Sequence, residues 1–122
     1  MFDQIKFHPH PTDKKGKQAY IDFIDYKMSI VQSSSSYGGD KGFYEIAIFD
    51  KDGEFIDLKG ITEKNDQVHG WLREHEVVLV IEKMCEITKM DIRLVLLRSA
   101  FRENRNDWWT CRAVSSNEQR AT

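Results

Sequence analysis

Several groups of residues in this chain have types and spacings that could do chemistry. The densest joins aromatic rings to arginines: Trp108 and Trp109 are adjacent, Arg98, Arg102, Arg105 and Arg112 surround them, and Tyr37 and Phe43 flank a serine- and glycine-rich loop. A nucleotide-derived ligand needs such a set, with an aromatic plane or guanidinium against the base and charged forks plus loop amides for the phosphates. The same residue types also suit packing, because neighbouring strand residues point to opposite faces and one tryptophan of the pair would then enter a core while the other capped an edge. His8 and His10 stand two apart in HPHP, on one side of an extended chain, and could ligate a metal if His69, His75 or a carboxylate came near. That segment is proline-broken, polar and without a neighbouring cysteine, so it reads as a surface loop and no metal site is expected.

Asp50 and Asp52 alternate in DKDG, but the glycine is fourth from Asp50 rather than sixth and hydrophobic sequence follows, which makes a turn and not a calcium loop. The run Ser33 to Ser36 offers hydroxyls, yet nothing in the sequence ties a histidine to them as the base that a nucleophile requires. GxGxxG, Walker A, GxSxG and HExxH patterns are absent. The expectation is therefore a protein that is not an enzyme and carries no cofactor. Cys85 and Cys111 form no CxxC and read as free thiols of a reducing compartment, Cys85 as a packing residue.

The elements that must position these residues follow from composition and periodicity. With 122 residues, 40% hydrophobic and 31% charged, the chain has the make-up of one soluble domain, 1–122, whose ends at 1–17 and 115–122 are expected to be flexible. Its net charge of -2 does not suggest general nucleic-acid binding. The charge is uneven: 11 Lys/Arg face 16 Asp/Glu up to Ile87, and 7 face 4 from Thr88 onward. An arginine-rich third thus sits on an acidic body, either as a receptor for phosphate or carboxylate or as a solvated face. No apolar run resembles a signal peptide or a membrane span, and the expected location is the cytoplasm.

Phe2 to Phe7 suggests a short edge strand. Gln18 to Ser33 is aromatic and β-branched and reads as one long strand bent near Asp25 or as two short ones. Gly42 to Asp50 alternates as a strand, and Asp52-Gly53 before EFIDL marks a tight hairpin. Gly60 to Gly70 is a polar connector. From Trp71, a stripe of Trp71, Val77, Val78, Ile81, Met84 and Cys85 predicts a helix of about four turns, which Leu79 and Val80 would widen to more than one buried side. Asp91 to Leu97 fits a strand, followed by a loop FRENRND and a strand WWTCRAV. A helical stripe of Met90, Leu94, Leu97 and Phe101, capped by Thr88 and Asp91, is the alternative. The fold class expected is α+β, an antiparallel sheet of about four to six strands against one main helix.

The order of a strand ending in VQSS, a glycine-containing loop, FYEIAIFD, a DGEFI turn, GWL and an EVVLVIEKM helix resembles small accessory proteins of bacteriophages and prophages. Among these it is most similar to the first described family of phage anti-Thoeris proteins, over about Met28 to Glu86. The resemblance implies a small α+β homo-oligomer that sequesters cyclic ADP-ribose isomers, or in some members cyclic oligonucleotides, without degrading them. It would place the protein in the host cytoplasm, away from membranes. Basic residues that grip a diphosphate would then lie in the tail, where Arg102, Arg105 and Arg112 are nominated by charge and aromatic company. A second class fits the same composition: an inhibitor that docks its acidic body or Trp/Arg tail on a host defence protein, since tryptophan and arginine are also interface hot-spot residues.

Overall fold

The computed structural model describes residues 1–62 and 68–102. Arg105, Trp108, Trp109 and Arg112, with the expected WWTCRAV strand, lie outside the described residues, as does the side chain of Arg102. Five strands, β1 (His8–Pro9), β2 (Lys17–Asp22), β3 (Tyr26–Gln32), β4 (Tyr44–Asp50) and β5 (Val68–Leu72), are followed by helices α1 (Glu74–Thr88) and α2 (Ile92–Arg102). The strands pair in sequence order, all antiparallel, so the fold is α+β.

Period-two alternation builds the core. The registers Ala19↔Ile30, Ile21↔Met28, Ile30↔Ile46 and Met28↔Ile48 set apolar residues side by side on one face. That face closes with Val77, Ile81, Met84 and Cys85 of α1 and with Val95 and Leu96 of α2 in one cluster. Burying each large aliphatic side chain there contributes about 1.5–3 kcal/mol. Gln18 to Ser33 is two strands, not one. Their turn at Phe23–Asp25 is closed by the Phe23 amide donating to the Tyr26 carbonyl at 2.8 Å and the Ile24 amide donating to Asp22 Oδ1 at 2.7 Å.

Several expectations are corrected. Phe2–Gln4 is a single 3-10 turn rather than a strand, because Phe2 and Ile5 stand three apart: Ile5 enters the core, and the Phe2 and Phe7 rings pack on Tyr44 at 5.2 and 5.7 Å. Strand pairing begins instead at His8–Pro9, a two-residue edge on which the missing proline amide costs nothing. The Asp-Gly hairpin forms, with Gly53 at φ 89°, the antiparallel bridge Phe49↔Phe55 and the Ile56 amide donating to the Ile48 carbonyl at 3.1 Å, but EFIDL does not continue as a strand. β5 takes the rest of that side of β4, so Trp71 and Leu72 belong to a strand and the helix starts two residues later. Glu76 accepts from the Arg73 amide at 2.9 Å and fixes that start. Leu79 is exposed, so α1 buries one side only.

Residues 92–102 form a helix and not a strand. Asp91 starts it: its carboxylate accepts from the Arg93 amide at 2.8 Å, and that backbone bond holds the carboxyl below its ordinary pKa range. The buried face is Val95, Leu96 and Ser99, not the Leu94–Leu97 stripe. Among the described residues no helix is long and apolar enough to cross a membrane.

Candidate functional site

The loop 33–43 is a compact, self-bonded connection between β3 and β4. Ser36 Oγ accepts from the Ser33 amide at 2.9 Å and donates to the Ser33 carbonyl at 3.0 Å, and the Gly39 amide donates to the Ser36 carbonyl at 3.1 Å. Gly39 runs so close beneath Ser33 that a Cβ would strike its carbonyl oxygen. A second tie comes from the β1–β2 connection at the same end of the sheet, where Asp13 Oδ2 accepts from the Ser34 amide at 2.7 Å. This bond and one from Lys15 hold the Asp13 carboxyl below its usual range. The serines are thus spent on shaping the loop.

What the loop presents is aromatic. Tyr37 is 60% exposed and Trp71, on β5, is 54% exposed. The two dipeptides Tyr37-Gly38 and Gly70-Trp71 interlock: a Cβ on Gly70 would strike Tyr37 Cβ, and one on Gly38 would lie 2.9 Å from Trp71 Cε3. Each aromatic residue therefore rests on the glycine beside the other. The Trp71 amide donates to the Tyr37 carbonyl at 3.2 Å, and Glu45 Oε1 accepts from the Tyr37 amide at 3.2 Å. Phe43 completes the surface with its ring 5.6 Å from that of Trp71, at 53°, and Lys41 Nζ stands 5.9 Å from the indole centroid.

Two backbone features aim the indole outward. The β4–β5 register shifts between Tyr44 and Ile46, a bulge of the kind that redirects a side chain. Trp71 itself has φ 59°, a left-handed conformation that a bulky residue adopts only when its surroundings impose it.

Tyr37 and Phe43, nominated from sequence, are thus brought together, within one loop. Spacing assigns Trp71 to the buried stripe of a helix, and it is instead the centre of the surface. The signal that could have found it is Gly70-Trp71, since a glycine beside an aromatic residue pairs with Tyr37-Gly38. Of the arginines that surround the tryptophan pair in the sequence, Arg98 lies on α2 with its Nη2 3.8 Å from Asp22 of β2.

The other candidates have ordinary employment. Thr12 places its amide and hydroxyl 3.2 and 3.3 Å from His10 Nδ1, and His69 Nδ1 lies 3.2 Å from the Ile61 carbonyl. Asp50 Oδ1 accepts from the Asp52 and Glu54 amides at 2.9 and 3.0 Å, which makes DKDG a turn. Burial pushes the Cys85 thiol up, so it packs as a small apolar group. Among the described residues no group of three or more His, Cys, Asp or Glu side chains is placed to hold a metal. No protein-family model, curated protein or solved structure matches the chain.

Proposed function

We propose that the protein is a non-catalytic binder that sequesters a nucleotide-derived signal, of the cyclic ADP-ribose isomer or cyclic oligonucleotide class, as a phage counter-defence protein in the host cytoplasm. The observation that carries this reading is the interlocked Tyr37/Trp71 surface. Two exposed rings are held in place before any ligand arrives, and a positive φ at Trp71 is maintained to keep them there. A fixed aromatic plane accepts a base without an ordering cost, and Lys41 beside it meets phosphate charge. The pattern of Met28 to Glu86, which resembles phage anti-defence proteins, supports the same ligand class. The mechanism is mass action: a tight complex lowers free signal, and no bond need break. In the homo-oligomer that the resemblance implies, each subunit would offer one such surface.

The test is capture and release. Purified protein is incubated with a nucleotide-signal extract, freed of excess, heat-denatured, and the released material identified by mass spectrometry. An intact cyclic nucleotide is the expected product. Trp71→Ala should weaken capture by about 5- to 150-fold, the worth of one base stacked on an aromatic ring, with the melting temperature almost unchanged. An empty release from the wild-type protein, with a host protein co-purifying, would sink the reading in favour of the docking inhibitor.

A further inference from the structure

Among the described residues, helix α2 has a second apolar stripe that no other element covers. Val95, Leu96 and Ser99 face inward, while Leu94 and Leu97 remain 59% and 54% exposed on the opposite side. A helix apolar on both sides ordinarily has both sides covered. Beside the stripe lies a groove of about 300 Å³, lined by Gln4, Arg93, Leu96, Leu97 and Ala100. Its apolar lining comes from Leu96, Leu97 and Ala100, and the Gln4 amide and Arg93 guanidinium are its polar groups.

The charges along α2 name the occupant. IRLVLLRSAFR contains three arginines and no acidic residue. On the helical wheel Arg93 and Arg98 fall on the two flanks of Leu94 and Leu97. Arg93 is largely exposed and pairs with the Asp91 carboxylate at 3.6 Å on the surface. Arg98 turns inward to Asp22 at 3.8 Å, and its Nη1 is enclosed by the protein, so the exposed cation of this face is Arg93. We propose that α2 is a docking surface for an acidic amphipathic helix of a partner protein, which inserts a large apolar side chain into the groove beside Gln4 and sets a carboxylate against Arg93.

A second copy fits less well, because a symmetric pairing of α2 with itself would bring its arginines together. A membrane surface fits less well too, because a concave groove receives a side chain and a bilayer offers no protruding one. The inference is independent of the nucleotide reading: its residues lie on α2 and on Gln4, apart from Tyr37 and Trp71.

The probe is a dye-labelled synthetic helix with leucines at i, i+3, i+7 and i+10 and glutamates on both flanks, titrated against the full chain by fluorescence anisotropy. Saturable binding is expected, at least tenfold tighter than for a scrambled peptide of the same composition. Leu97→Ser and Arg93→Glu should each weaken it at least tenfold with the thermal midpoint preserved, since both side chains are exposed. Arg93→Glu should in turn improve binding of a peptide with lysine in place of glutamate. Equal binding of the scrambled peptide, indifference to both substitutions, or no binding would overturn the proposal. So would a dimer in sedimentation equilibrium that Leu97→Ser dissolves, or binding to phosphatidylglycerol vesicles with none to the peptide.

Discussion

Three non-glycine residues among those described hold positive φ, and each does so for a different reason: Ile24 at 73°, Trp71 at 59° and Lys89 at 58°. Lys89 ends α1, where a left-handed residue lets the Met90 amide return to the Cys85 carbonyl at 3.0 Å. Trp71 is turned out to form the aromatic surface. Ile24 only closes the β2–β3 turn, and its exposed side chain gains little from the core. A β-branched residue in this region is strained by about 1–2 kcal/mol, whereas asparagine visits it routinely. Ile24→Asn is therefore expected to stabilise the fold by about 1 kcal/mol, raising the thermal midpoint by roughly 4 °C. A calorimetric scan showing no rise would mean that the packing of the isoleucine side chain is worth as much as the strain relieved. The same reasoning at Trp71 has the opposite functional sign, since relaxing that residue would cost the binding surface.

At the scale of elements, the outcome depends on how far apart in the chain the deciding partner lies. β3, β4 and α1 are legible because each carries its own signal, alternation in YEIAIFD and a three-to-four spacing from Val77 to Cys85. β5 is not, because VHGWL becomes a strand only through β4's unpaired side and the loop carbonyl of Tyr37. α2 is ambiguous for a related reason: DIRLVLL suits either period, and the cap at Asp91 decides it. The candidate site divides likewise, with Tyr37 and Phe43 visible in one loop and Trp71 hidden by a long-range approach. That approach is testable at Gly70, where a methyl group would strike Tyr37 Cβ and stand 3.2 Å from its carbonyl oxygen. Backbone must move to admit it, so Gly70→Ala should cost about 1–3 kcal/mol, read as a lower urea midpoint. It should also abolish ligand capture, because Tyr37 can no longer sit against β5. Retained capture at full stability would show that the interlock is not what fixes the rings.

Across the whole molecule, the acidic body and the arginine-rich end meet at the end of β2. The Asp22 carboxylate lies 3.6 Å from Lys27 Nζ and 3.8 Å from Arg98 Nη2 and accepts the Ile24 amide, while its own amide donates to Ser99 Oγ at 3.2 Å. Ser99 Oγ donates in turn to the Val95 carbonyl at 2.8 Å, so the last described helix is tied to the first long hairpin across 77 residues of sequence. Asp22 and Lys27 are both buried, and the carboxylate offsets the cost of enclosing the ammonium. Asp22→Asn keeps the shape and the turn bond to Ile24 but removes the charge. Breaking one partner from a buried pair costs about 3–5 kcal/mol, and the unfolding free energy is expected to fall by about 3 kcal/mol. Because the same group holds α2, native-state hydrogen exchange should show α2 amides losing protection further than those of β3 and β4. Asp25→Asn, on the exposed turn beside it, should change neither quantity. Uniform loss of protection across sheet and helix in Asp22→Asn would instead make α2 part of one cooperative unit with the sheet.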